Sequence, residues 1–219
     1  MRRWRARSRS SGSRGAAIRR RPSGDVLLFG VTAVELAALV ILTPMFGVAD
    51  WIYVLQHVIV LAIAMTRPLP QAQDHSPGAN TAVAVSITYP YAQVIYLQSV
   101  PGLPAWPAGG LALIVAAACL SLASLCTIRR SFGIRPALRG TLATSGPYRL
   151  MRHPMYLSYM LGDLGYNLQE WNPGTVLLTA AGWASLIYRI HAEERVLSRS
   201  PQWSRYESTV RGRLVPGIW

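Results

Sequence analysis

The sequence contains no lysine: all 22 basic residues are arginine, and only nine acidic residues stand against them in a chain of 219. Charged side chains make up 14% of the residues and hydrophobic ones 51%, with a mean hydropathy of +0.25. Soluble domains usually carry about a quarter charged residues, so this scarcity favours a small membrane protein. Lysine-free composition with abundant alanine, arginine and glycine points to a GC-rich bacterial source. Cysteine is nearly absent too. Cys119 and Cys126 lie in one apolar segment with no further side chains to complete a ligand set, so no metal is expected and both read as small buried hydrophobes.

What is present is concentrated. Nine arginines fall within the first 21 positions, interleaved with serine and glycine. This stretch has no apolar periodicity, so residues 1–24 are expected to be a disordered cytoplasmic tail drawn to anionic membrane lipids. Nucleic-acid binding is the competing reading. The tail adjoins an apolar segment and the rest of the chain has no nucleic-acid module, so no nucleic-acid partner is expected. The apolar run after Asp25 is longer than the core of a signal peptide and lacks a small-residue cleavage site, which argues against a cleaved leader.

A bilayer-crossing helix needs roughly 20 mostly apolar residues. Six segments approach that length: Val26 to Val48, Trp51 to Thr66, Thr81 to Val100, Pro107 to Ile128, Met155 to Gln169, and Pro173 to Ile190. The expected fold is an all-α, polytopic membrane bundle of six spans, or five if the short second or fifth is re-entrant. Residues 25–128 would be the N-terminal spans and 129–219 a catalytic core. With the N-terminus inside, every arginine falls in a cytoplasmic segment, and the connections near Asp50, Gly102 and Glu170 hold none. That distribution satisfies the positive-inside rule and puts both termini in the cytoplasm, in a bacterial inner membrane. Trp51, Trp106, Trp171 and Trp183 read as interfacial aromatics. Pro90, inside the third span, either packs against neighbours or lines a cavity.

The chemistry concentrates at the two ends of the last hairpin. Residues 145–156 read SGPYRLMRHPMY, and the sixth span runs into RIHAEERVL. Pro154 suits the first position of a helix, which puts His153 at its N-cap and Tyr156 in its first turn. Arg189 and Glu193 are four apart and share a helix face, with Glu194 about 100° around from it. Taken singly, these are ordinary features: a surface ion pair, a solvated acidic face, a snorkelling arginine. Gathered at the mouth of one hairpin, both signs of charge at a membrane boundary are costly unless they bind something.

The combination of SGPYRLMRHPMY, EERVL and a closing RLVPGIW, over residues 129–219, resembles the isoprenylcysteine carboxyl methyltransferase family and its phospholipid N-methyltransferase relatives. The resemblance implies an integral membrane enzyme using S-adenosyl-L-methionine, bound at the cytoplasmic side by the last hairpin and the C-terminal segment. By that match Leu142, Ala143, Tyr148, His153, Pro154, Met155, Tyr156 and Glu193 would bind the cofactor. Arg189 would face a lipophilic or prenylated substrate, with Arg152 and Glu194 as further catalytic candidates. Glu194 or His191 would serve as base if the acceptor were an amine. Two positions depart from the family: Ser158 where a glycine is frequent, and Gly140 where eukaryotic members often have histidine.

Three rivals remain at this point: a phospholipid (phosphatidylethanolamine) N-methyltransferase, an NADPH-dependent sterol or steroid reductase with a similar R-H-P-x-Y element, and a non-catalytic relative with a degenerate site. The Glu193-Glu194-x-x-Leu pattern and the short C-terminal tail favour the methyltransferase over the reductase.

Overall fold

The computed structural model describes residues 30–34, 36–37, 48–66, 70–133, 136–138, 141–217 and 219. The arginine tail over 1–24, most of the expected first span and Gly140 lie outside them. Residues 30–34 and 36–37 are helical. The long helices that follow are α1 (Val48–Thr66), α2 (Pro77–Ser99), α3 (Pro107–Ile128), α4 (Pro154–Gln169) and α5 (Pro173–Leu197), and a short α6 (Pro201–Thr209) ends the series.

Proline opens α2 to α6, at the one helical position where a missing N–H costs nothing and the fixed φ helps. Two of these starts are also capped. The Ser76 hydroxyl accepts from the Ala79 amide, and the Asn172 side chain from the Gly174 amide, satisfying donors that a helix start leaves bare. Helices lie over the second to sixth expected segments, with shifted ends. Asp50, expected in a turn, falls inside the first turn of α1, and α5 continues seven residues past Ile190.

Two short antiparallel ribbons mark opposite ends of the bundle. At one end β1 (Ala72–Gln73) pairs with β3 (Ala137–Leu138); at the other β2 (Leu103–Pro104) pairs with β4 (Glu170–Trp171). The second end is tied further by Glu170, which accepts from the Gly102 amide, and by Asn172, which donates to the Val100 carbonyl. Among the described residues arginine is absent from this end, and the arginines after α3 all lie toward the other. Trp51, Trp106 and Trp171 are exposed near the arginine-free end. Trp183 is a correction: it sits in mid-helix, half-buried, with its indole bonded inside the bundle.

Packing departs from a simple hairpin of α4 on α5. The main partner of α4 is α3, and that of α5 is α2. Small residues make both contacts close, as they do where lipid offers no hydrophobic drive between helices. Gly110 of α3 and Gly165 of α4 each leave room for the other's carbonyl oxygen, while Gly78, Gly174 and Gly182 face the rings of Tyr188, Tyr96 and Tyr89. Buried amides and hydroxyls bind the helices together. Gln93 donates to Thr179 at 2.6 Å, Asn167 donates to Thr179 at 2.8 Å, and Thr175 donates to Asn167 at 2.9 Å.

The outward faces remain apolar, with Ile95, Leu111, Leu164, Leu177 and Ile187 all exposed. Cys119 and Cys126 are exposed as well, on the outer face of α3, which corrects the expectation that they are buried. Among the described residues α3 alone, with 22 residues and a mean hydropathy of 2.4 over an 18-residue stretch, is long and apolar enough by composition to cross a bilayer.

The glycine contacts yield a paired prediction. At Gly182 a methyl group would collide with the Tyr89 ring, whereas at Gly162 the nearest atom to an added Cβ is the Ala117 methyl at an ordinary 3.8 Å. Gly182→Ala is expected to cost about 1–3 kcal/mol through overpacking, and Gly162→Ala to be neutral or stabilising by up to about 1 kcal/mol through helix propensity. Thermal unfolding of both variants in detergent checks it; equal midpoints would contradict the α2–α5 packing.

Candidate active site at the arginine-rich end

The start of α4 and the extension of α5 meet at the arginine-rich end. His153 occupies the N-cap position and Pro154 the first helical one, as the sequence predicts. The His153 Nε2 lies 3.1 Å from a Glu194 carboxylate oxygen, and the Tyr156 hydroxyl donates to Glu193 Oε2 at 2.9 Å. A carboxylate only accepts, so Nε2 carries the proton. The RHPMY and EER stretches are therefore in direct contact.

The two adjacent glutamates have different environments. Glu194 Oε1 meets His153 and, at 3.3 Å, Arg152; Oε2 accepts from Arg213 Nε at 2.9 Å. Burial pushes this carboxyl up, but the hydrogen bonds from His153 and Arg213, with the charges of His153 and Arg152, outweigh it and hold the pKa at about 2. Arg152 is buried, and besides Glu194 it binds Glu207 and the Arg211 carbonyl and lies over the Trp203 ring. The amides of Arg152 and His153 donate to the carbonyls of Gly212 and Arg213. Together these bonds lay the closing RLVPGIW segment along the motif, and Leu214 completes a core with Tyr156, Met160, Leu186 and Ile190.

Glu193 is only half-buried. Its Oε2 accepts from Tyr156, and Oε1 takes no hydrogen bond from a described residue. Tyr148 is buried nearby; burial first and the Glu193 charge second push its hydroxyl well above the ordinary value, so it stays protonated. The Tyr148 carbonyl accepts from the Tyr206 hydroxyl at 2.7 Å, which fixes the preceding loop on α6. Leu142 in that loop packs against Leu197, Trp203, Tyr206 and Val210, and Ala143 beside it is half-buried.

Behind this rim lies a largely apolar cavity of about 390 Å³ between α1, α2, α3, α4 and α5. Met155, Ser158, Tyr159 and Leu186 form part of its wall, and Pro90 lines it rather than packing away. Arg189 also faces it, donating to Ser86 Oγ at 2.7 Å with its guanidinium over the Tyr156 ring. Tyr156 thus touches Glu193 on the rim side and Arg189 on the cavity side. Ser158, one of the departures from the family pattern, is buried with its hydroxyl bonded to the Met155 carbonyl.

Several participants are invisible to the motif reading. Arg213 and Glu207 look like ordinary tail charges in sequence. Asp163 lines the cavity, and its Oδ2 accepts from Tyr89 and Trp183; an acidic residue inside an expected span is the signal that would have found it. His191 is exposed beside the Trp219 ring, away from the cavity lining.

The phospholipid methyltransferase family model matches residues 107–200, which span α3 to the end of α5 and hold SGPYRLMRHPMY and EERVL but not the closing RLVPGIW. Protein-S-isoprenylcysteine O-methyltransferase B of Arabidopsis thaliana is 26% identical over 160 residues, covering 69% of this chain and 78% of that protein. The chain is similar to isoprenylcysteine carboxyl methyltransferases, the family its motifs resemble. A second relative, protein-S-isoprenylcysteine O-methyltransferase A of the same plant, is 31% identical over 46% of this chain and 55% of its own length. The fold is similar to that of a solved eukaryotic intramembrane Ras methyltransferase, which matches with a TM-score of 0.51 and 23% identity over 89% of this chain and 75% of that one.

Proposed function

We propose that the chain is an integral membrane, S-adenosyl-L-methionine-dependent methyltransferase that esterifies the carboxylate of a lipophilic acceptor, the prenylated-cysteine type of its relatives being the first to try. The observation that carries this reading is Tyr156 between two unlike groups: Glu193 with an open oxygen on the rim, and Arg189 facing an apolar cavity.

The rim fits the cofactor. An open carboxylate oxygen at Glu193 suits hydroxyl or amino donors, and buried Tyr148, Pro154 and Met155 give the apolar enclosure that an adenosyl group needs. In this reading Leu142, Ala143, Tyr148, His153, Pro154, Met155, Tyr156 and Glu193 hold the cofactor, which when bound supplies an electrophilic methyl group. Arg189 grips the acceptor carboxylate through parallel N–H donors and is itself oriented by Ser86 and Tyr156. A carboxylate is already ionised near neutral pH, so positioning and a prearranged field suffice and no general base is needed.

That point favours an acid over an amine acceptor. Glu194, with both oxygens engaged by cationic or proton-bearing partners and a pKa of about 2, is a poor base. Arg152 and Glu194 then act as positioning residues that clasp the C-terminal segment to the motif. Arginines at one end of the bundle support a cytoplasmic active site and cytoplasmic termini, with six spans when the first expected segment is counted. The cavity wall formed by Pro90, Tyr91, Tyr159 and Tyr166 supports acceptor entry from the lipid between α2 and α4.

The test is methyl transfer from tritiated S-adenosylmethionine to an S-farnesylated cysteine derivative by the purified protein. The expected product is an ester that releases its label as methanol on mild alkali. Alkali-stable label in phosphatidylethanolamine instead would transfer the assignment to N-methylation.

A further inference from the structure

The cavity holds a carboxylate that methyl transfer to an acid does not use. Asp163 lies on α4 seven residues, about two turns, beyond Tyr156 and lines the same space as Arg189. Its Oδ2 accepts from the Tyr89 hydroxyl at 2.7 Å and from Trp183 Nε1 at 2.8 Å, so α2 and α5 pin it from two sides. Oδ1 takes no hydrogen bond from a described residue. An asparagine oxygen would hold the same two donors, so the negative charge is unnecessary for joining the helices.

The placement relative to Arg189 is informative. Ser86, the partner of Arg189, and Tyr89, the partner of Asp163, are three residues apart on α2, or about 4.5 Å along the helix. The cavity therefore offers a cation near the rim and an anion about one turn deeper. A hydrocarbon tail lying against Oδ1 would strip its water and return nothing, a cost that an O–H or N–H donor on the tail removes.

We propose that Asp163 Oδ1 reads a hydrogen-bond donor on the acceptor's tail, so that the preferred substrate is a lipophilic acid functionalised a few carbons from its carboxylate rather than a plain hydrocarbon chain. This rests on the reading of Arg189 as the carboxylate anchor.

Equilibrium binding of dodecanoate and 5-hydroxydodecanoate to the full chain in lipid nanodiscs, with S-adenosylhomocysteine present, tests it without requiring turnover. The hydroxy acid should bind about tenfold to hundredfold more tightly, as expected for a hydrogen bond to a charged group. Asp163→Asn should cut that preference to a few-fold, because its amide NH2 offers the hydroxyl only a neutral hydrogen bond, while leaving S-adenosylhomocysteine affinity unchanged. Trp183→Phe, which removes one of the carboxylate's two donors but keeps its charge, should preserve the preference, so that its loss there would count against Asp163 as the reader even if Asp163→Asn does not fold. Equal binding of the two acids by the unsubstituted protein, or binding of neither, would overturn the proposal. A hydroxyl preference without methyl transfer to either acid would support it while contradicting the catalytic reading; methyl transfer without preference would do the reverse.

Discussion

Replacing Arg189 with alanine is expected to lower kcat/KM for a lipophilic acid by about 10²–10³-fold, the loss that follows removal of a buried, charge-assisted anchor. The guanidinium is nearly enclosed, held by Ser86 and the Tyr156 ring, and faces the cavity. Without it an acceptor carboxylate would enter an apolar space with no cation to meet it, and its orientation toward the rim would be lost. S-adenosylmethionine affinity should change by less than about threefold, because the loss falls on the acceptor side. Arg189→Lys keeps the charge but not the planar fork, so an intermediate fall of about tenfold is expected. Steady-state kinetics with separate cofactor titration distinguish these results. An unchanged kcat/KM in Arg189→Ala would show that the acceptor is not held as a carboxylate here.

Glu194→Gln should destabilise the folded protein by on the order of 3 kcal/mol, the scale on which breaking a buried ion network acts. The variant leaves buried Arg152 and His153, together with half-exposed Arg213, without the anion that joins them. Acid titration reports the same interaction. The carboxyl titrates at about 2 when folded against an ordinary 4.5. Its contribution is therefore complete above about pH 4.5 and is lost as the pH falls toward 2. Unfolding midpoints of the unsubstituted protein should drop across that window, and those of Glu194→Gln should drop less. Parallel acid profiles for the two proteins would remove Glu194 from the clasp. Because Glu193 stands outside the network, its substitution should leave this profile unchanged.

Some of this is legible in the sequence because it is local. The prolines that open α3, α4 and α5, the N-cap position of His153 and the four-residue spacing of Arg189 and Glu193 follow from chain geometry alone, and the structure keeps all of them. The meeting of RHPMY with EER follows from connectivity, since consecutive helices joined by a short turn bring their far ends together. The side on which each apolar helix is buried is another matter. A segment such as α3, apolar all round, carries no periodic signal for its inner face, which is why Cys119 and Cys126 proved to be exposed. Nor does connectivity reveal that α4 packs on α3 and α5 on α2; that choice lies in glycines whose tyrosine or carbonyl partners are distant in sequence. The Asp163 site draws on three helices, and the clasp needs Glu207 and Arg213 from a tail whose charges look solvated until it folds back.

The central claim is that the rim around Glu193 is a cofactor site. It is tested most directly by calorimetric binding of S-adenosylmethionine and S-adenosylhomocysteine to the purified protein and to Glu193→Ala. The account predicts binding by the unsubstituted protein and a loss of about tenfold or more in the variant, the share expected of a charge-assisted hydrogen bond, with an unaltered unfolding midpoint. Equal affinity in the two proteins, or no binding by a well-folded unsubstituted protein, would contradict it.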